Sequence, residues 1–353
     1  MRHSDNEAVT PESSLREAWS RLGLPGHPLP VLVAYASHRS PSTDALHAKL
    51  RLLLQRTEAA RNTPREGRGE PQRIGAYLVQ EKVGEGGMGV VYRGRHMLDE
   101  LAVGDRATVA IKVLHQHLAK QPAIVNRFLS EAEALGQLSH PNIVRIFDFI
   151  RDGEQTALVM EWLEGRNLAE VIGKETGPIP WTRAKPWLEK LFDAVAYANE
   201  AGVIHRDLKP ENVRVLPNDD LRVLDFGIAR VASNRGKTQA GTGLGTLDYM
   251  APEQYTDAAG VDQRADVYAL GMTVYEMLAG RLPWDPSLPE YQLMQTKAAG
   301  DIPPPTHFYP AIPSHVLEAI MLALRVDPHE RHKSVRAFAH ALDLALPHAE
   351  AVP

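Results

Sequence analysis

The segment His205-Arg206-Asp207-Leu208-Lys209-Pro210-Glu211-Asn212 gathers a carboxylate, an ammonium and an amide oxygen into one short loop. A hydroxyl that attacks phosphorus needs a carboxylate to orient it and accept its proton, which Asp207 can supply. Lys209 brings positive charge to the transferring phosphoryl group, and Asn212 offers an oxygen ligand for a metal. Asp225-Phe226-Gly227 follows thirteen residues after Asn212, behind the strand-like LRVL, and Asp225 is a carboxylate able to hold Mg²⁺ between phosphates.

Upstream lies Gly84-Glu85-Gly86-Gly87-Met88-Gly89, with β-like residues on both sides. Glycines in such a hairpin turn let backbone N–H groups approach phosphate oxygens with no Cβ in the way. The same spacing occurs in dinucleotide-binding folds, but there a helix follows the glycines, and here a second strand, VVYRG, does. Val109-Ala110-Ile111-Lys112 places a lysine within an apolar strand, where alternation sends Ile111 to one face and Lys112 to the other. A buried ammonium requires a partner, and Glu131, in the helical run that follows, is the candidate, with phosphate oxygens as a second. Each motif taken singly is weak; their order along one chain is not.

The elements that must position these groups fall into two textures. From Tyr77, short β-like runs are separated by turns: YLVQEKVG, GVVYRG, TVAIKVL, RIFDFI and TALVMEWL. One helix interrupts them, expected over Ala123 to Leu138, with Phe128, Leu129, Ala132 and Leu135 on one face and Pro141 beyond its end. After Glu164 the pattern turns helical, with runs near Trp181 to Glu200, Gln263 to Leu278, His315 to Leu324 and Ser334 to Leu344. The expected fold class is α+β, a small antiparallel β-rich lobe (74–163) followed by a larger helical lobe (164–346). Residues 1–73 read as a separate extension ending in the linker-like NTPREGRGEPQR, with short helical or strand-like runs at Leu15 to Leu24, Pro30 to Ala36 and Asp44 to Arg61; 347–353 read as a tail.

At 353 residues the chain can bury a large core, and 44% hydrophobic with 24% charged residues is ordinary for a globular protein. A formal charge of -5 gives no electrostatic reason to expect nucleic acid as the partner, and the absence of cysteine excludes disulfides and thiolate chemistry. The opening MRHSDNEAVTPESS is polar where a secretion signal is apolar, and no apolar run approaches the roughly 20 residues that span a bilayer. The expected location is the cytoplasm.

From about Tyr77 to Leu346 the chain resembles the Ser/Thr protein kinases, and is similar to the eukaryotic-like kinases of bacteria. Glycine loop, VAIK lysine, helix glutamate, HRDLKPEN, DFG and Ala251-Pro252-Glu253 occur in that family's order. The resemblance implies ATP as phosphoryl donor with Mg²⁺, or Mn²⁺ in its place, a protein Ser/Thr hydroxyl as acceptor, and Lys112, Glu131, Asp207 and Lys209 as the catalytic set. It implies that Asn212 and Asp225 hold the metal. Gly84 to Gly89 with Glu85 and Met88, then Val91, Ala110, the gatekeeper Met160, Glu161 to Leu163 and Arg214, would surround the nucleotide. It makes Asp266 the anchor of the catalytic loop, pairs Arg331 with Glu253, stacks Leu135, His205 and Phe226 as a hydrophobic column, and gives Thr246 a part in positioning the acceptor. Residues 227–251 would form the activation segment, with Thr238 and Thr242 as candidate phosphosites, Ser233 behind them, and Arg206 as the cation that phosphate would pair with. Phosphorylation of one copy by another would imply a homodimer.

Two features depart from the family pattern. The span Arg93 to Lys112 is several residues longer than the usual hairpin, which predicts an enlarged lobe tip. Arg214 stands where relatives place an apolar side chain under the adenine; its methylene stem could cover the base while the guanidinium turns to water or ribose. That residue is the argument for the alternative, a weakly active pseudokinase serving as a binding scaffold.

Overall fold

The chain divides into two units, 1–70 and 71–353. The computed structural model describes residues 73–97, 108–152, 155–174, 178–226, 246–256 and 260–347, all within the second unit. The expectations for residues 1–72, the 98–107 hairpin tip, residues 227–245 of the activation segment and the extreme C-terminus therefore lie outside the described residues, while Arg73, expected in the extension, begins the first strand.

Six strands form one antiparallel sheet: β1 (Arg73–Ile74), β2 (Tyr77–Gly86), β3 (Gly89–His96), β4 (Thr108–Leu114), β5 (Ile146–Asp152) and β6 (Gln155–Glu161), in the order β1-β2-β3-β4-β6-β5. Strand alternation divides its side chains between two cores. Val109, Ile111, Ala157 and Val159 pack on one face with Ile74, Tyr77, Tyr92 and Ile150. Ala110, Leu114, Leu158 and Met160 point to the other face and join the main core. Between β4 and β5 run α1 (Gln116–Ala119) and α2 (Pro122–Gly136). Pro122 opens α2, where its missing N–H costs nothing, and Phe128, Ala132 and Leu135 are buried as the helical spacing predicts.

The larger lobe begins with β7 (Arg166–Asn167) and α3 (Leu168–Lys174), followed by α4 (Trp181–Glu200). A 3₁₀ turn, Pro210–Asn212, leads into β8 (Val213–Val215), and β7, β8 and β9 (Leu221–Val223) form a second small sheet. Then come α5 (Thr246–Tyr249), α6 (Glu253–Thr256), α7 (Arg264–Ala279), α8 (Glu290–Ala299), α9 (Ser314–Ala323) and α10 (Val335–Ala341). Helices α4, α7 and α9 lie within a residue of where periodicity puts them, whereas α2 and α10 end two and three residues early, at Gly136 and Ala341, and α8 had no expected run. Helix α10 starts where the Ser334 hydroxyl accepts the Ala337 N–H. Helix α7 is buried nearly all round and stops at Gly280, whose φ of 72° is open to glycine without a Cβ penalty. The bilobal α+β expectation is met and the strand-like LRVL is β9, while the pairing of β7, β8 and β9 into a second sheet was not announced.

Candidate active site

The register of the sheet brings the nucleotide-side candidates together. Gly84 lies opposite Val91, Glu85 opposite Val90 and Gly86 opposite Gly89, so Gly87 and Met88 make the turn. Val91 pairs with Lys112, Ala110 with Met160 and Lys112 with Leu158, which puts all five side chains on one face. Glu161 faces Val109 at the end of β6, its N–H bonded to the Arg145 carbonyl at 2.9 Å, and Leu163 just beyond is buried in the main core. A Cβ on Gly89 would sit 1.9 Å from the Val113 carbonyl oxygen, so only glycine fits there, whereas Cβ atoms on Gly84 or Gly86 would meet nothing within 4 Å.

Lys112, only 11% exposed, meets Asp225 Oδ1 at 2.7 Å. Burial alone would raise the Asp225 carboxyl, yet the Lys112 ammonium beside it holds it below the usual carboxylate range, so it is anionic. Glu131 belongs to α2, but its side chain is outside the described residues; the partner the structure gives Lys112 is the DFG carboxylate, from 113 residues further along.

In the catalytic loop, Lys209 Nζ stands 3.3 Å from Asp207 Oδ2. Asn212 Nδ2 donates to the Asp207 carbonyl at 2.8 Å and to Asp207 Oδ2 at 3.2 Å. With its amide nitrogen engaged at Asp207, Oδ1 is the acceptor that the Asn212 side chain has left to offer. The Leu224 N–H donates to the Asn212 backbone carbonyl at 2.8 Å, tying the loop to the strand that delivers Asp225.

Asp266, wholly buried on α7, holds this loop from beneath, accepting from His205 N (2.8 Å), Arg206 N (2.9 Å) and Asn199 Nδ2 (2.8 Å). Arg206 and Asp225 carry φ of 62° and 48°, left-handed values that cost non-glycine residues about 1 to 3 kcal/mol each and persist where surrounding bonds impose them. His205 Nε2 bonds the Leu224 carbonyl at 2.9 Å and its ring packs 4.4 Å from Phe226. Burial pushes the imidazole below its usual range, so it is neutral at pH 7, and Leu135 and Phe226 share the same core.

Arg214 lies on β8 between the buried Val213 and Val215, on the opposite face as alternation requires. Its Nη1 donates to the Gly165 carbonyl at 3.2 Å, while its buried Nε has no hydrogen-bond partner. Arg331 makes two 2.7 Å bonds to Glu253 and three more to the carbonyls of Arg264, Arg325 and Val326. The buried Lys297 went unnoticed in the sequence. Its ammonium bonds the carbonyls of Leu247, Asp248 and Met250 at 2.6 to 2.8 Å and lies over the Trp284 ring. It thereby pins α5, the helix that carries Thr246, whose side chain is outside the described residues. Thr238, Thr242 and Ser233 also fall outside them.

Residues 77–342 match the family model described as the protein kinase domain. The chain is 39% identical over 279 residues to the serine/threonine-protein kinase Pkn1 of Myxococcus xanthus, covering 78% of this chain and 39% of that one. It is 34% identical over 278 residues to the serine/threonine-protein kinase PknL of Mycobacterium tuberculosis, covering 77% and 67% respectively. Among solved structures, the PknI kinase domain of Mycobacterium tuberculosis superposes with a TM-score of 0.60 at 27% identity, over 77% of this chain and 96% of that domain. The chain thus spans about two fifths of the length of Pkn1.

Proposed function

Since the chain belongs to the protein kinase family and resembles its bacterial Ser/Thr members, we propose that it transfers the γ-phosphoryl group of ATP to Ser or Thr hydroxyls of proteins. One observation carries this reading. Groups from three separate segments meet in one connected set: Lys112 on Asp225, Asp207 on Lys209 and Asn212, and Asn212 on the strand before Asp225.

The residues present fit Mg·ATP. Among the described residues no cluster of three or more His, Cys, Asp or Glu side chains could hold a metal alone. Magnesium does not need one, because it takes one or two protein oxygens and completes its shell with phosphates and water. The Asp225 carboxylate and the Asn212 amide oxygen are such donors, and the open Cβ sides of Gly84 and Gly86 leave room for phosphate against the backbone. When bound, the metal would neutralise charge between the phosphates.

The chain's own groups divide the remaining work. Lys112 orients the α- and β-phosphates, shared between Asp225 and Glu131; Val91, Ala110, Met160 and the Arg214 stem enclose the adenine, and the backbone of Glu161 to Leu163 bonds its edge. Asp207, with Oδ2 steadied by Lys209 and Asn212, orients the substrate hydroxyl and takes its proton. Lys209 then balances the charge of the moving phosphoryl group. Thr238 and Thr242 are the activation-segment sites, modified in trans by a second copy, with Arg206 receiving the phosphate. The acceptor is a protein; separately, no helix among the described residues of the kinase is long and apolar enough to cross a membrane. Nothing observed specifically favours the pseudokinase scaffold.

The test is incubation with γ-labelled ATP, Mg²⁺ and a generic basic protein, followed by phosphoamino-acid analysis. Label on serine and threonine is expected. Label on tyrosine alone, or none with protein shown to be folded, would overturn the reading.

A further inference from the structure

His115 follows β4 three residues after Lys112, and the sequence gives the two histidines of His115-Gln116-His117 no evident task. In the structure both its main chain and its ring reach the glycine turn. The His115 N–H donates to the Met88 carbonyl at 2.9 Å. The imidazole Nε2 lies 2.8 Å from the Gly86 carbonyl oxygen. A carbonyl only accepts, so Nε2 carries the proton in that bond. One residue therefore grips the carbonyls on either side of Gly87.

We propose that His115 is a positioning residue that latches the glycine turn in its phosphate-binding form. This rests on the reading that Gly84 to Gly89 cradles the phosphates of ATP. A trans peptide is planar and its C=O and N–H point in opposite directions. Holding the Gly86 oxygen against the ring therefore aims the Gly87 N–H to the other side of the turn, as a donor to phosphate requires. The β4 backbone already closes on the turn at Gly89, where a Cβ would strike the Val113 carbonyl. A Cβ on Gly84 or Gly86 would meet nothing, so what holds their backbone is the pairing with Val91 and Gly89 together with the His115 ring on the Gly86 carbonyl. A turn fixed beforehand loses less conformational entropy when phosphate arrives.

The surroundings of the ring suit this task. Glu85 Oε1 stands 4.0 Å from Nε2, and Glu85 is itself paired with Lys82 at 2.6 Å. The His117 ring stacks on the His115 ring at 5.6 Å between centroids. The stacked ring limits how the imidazole can turn, and Nε2 lies nearer the Gly86 carbonyl, at 2.8 Å, than the Glu85 carboxylate, at 4.0 Å.

The experiment measures dissociation constants for a non-hydrolysable ATP analogue with Mg²⁺ and for adenosine, using the full chain as wild type, His115→Ala and His115→Gln. Losing one hydrogen bond that acts on the phosphates should weaken the analogue roughly threefold to tenfold in His115→Ala and adenosine by less than about twofold. Gln, whose amide N–H can reach a nearby carbonyl, should recover most of that loss. Equal weakening of both ligands would mean that His115 merely supports the lobe, and unchanged analogue binding would mean that it does nothing; either overturns the proposal. A wild-type protein that binds adenosine as tightly as the analogue would overturn the phosphate-cradle reading and the latch with it. Thermal unfolding identifies folded variants, and if His115→Ala does not fold, His115→Asn, too short to reach Gly86, gives the same comparison.

Discussion

Asp207 and Asp225 in the cleft each meet a lysine, at 3.3 and 2.7 Å, and their side chains stay 11% and 35% exposed. Asp266, Arg331 and Lys297 in the frame below are enclosed, and most of their bonds go to backbone amides and carbonyls. A charge answered by another side chain can exchange that partner for a phosphate or a metal. One answered by the main chain cannot, because the backbone groups have nowhere to go. The first arrangement is fit for chemistry and the second for holding a loop in left-handed conformations at Arg206 and Asp225. Substitutions in the cleft should therefore remove activity and spare stability, and substitutions in the frame should do the reverse first.

The largest expected stability effect is at Arg331. Arg331→Ala leaves Glu253 and three carbonyls without their donor, and should cost roughly 3 to 5 kcal/mol in urea unfolding, as breaking a buried pair does. A loss below about 1 kcal/mol would remove the distinction between frame and cleft.

Glu276 sharpens the comparison, being a frame carboxylate answered, among the described residues, by the Tyr249 hydroxyl. Burial, with Glu211 and Asp248 nearby, pushes its carboxyl from 4.5 up to about 7 despite the Tyr249 bond. A raised folded value means that the fold keeps the proton, so the stability this group lends is full below about pH 4.5 and is lost as pH climbs to about 7. Glu276→Gln should remove that slope, gaining up to about 3 kcal/mol near pH 8 and nothing near pH 4, as read by denaturant unfolding across pH. An unchanged slope would show that the carboxyl titrates normally.

The smallest effect is expected at Arg214, which has one carbonyl bond and a buried Nε with no partner. Arg214→Leu should tighten adenosine roughly threefold to tenfold in calorimetry, because an apolar floor replaces a poorly satisfied donor. Weaker binding would mean that the guanidinium serves the nucleoside.

The legible parts of the molecule were those written in contiguous residues. HRDLKPEN carries its roles in one loop, and the helix Trp181–Glu200 shows enough turns for its period to be read. What stayed hidden depends on distant partners. Lys297 looks like a solvated helix lysine in QTKAAG until three carbonyls from 47 to 50 residues upstream enclose it. The Lys112–Asp225 pair joins segments that no local pattern connects, so the lysine was assigned to the helix glutamate and to phosphate oxygens but not to Asp225. His115 had no motif around it, and the pairing of β7, β8 and β9 into one small sheet joins segments that no local pattern connects.

The most direct measurement is phosphoryl transfer by Asp207→Asn beside the wild type, with urea unfolding and ATP-analogue binding on the same samples. Transfer should fall by at least about a hundredfold while unfolding and binding stay near the wild-type values, because Asn keeps the shape but accepts no proton. Transfer within a few-fold of wild type would contradict the assignment of Asp207 and, with it, the account of the cleft.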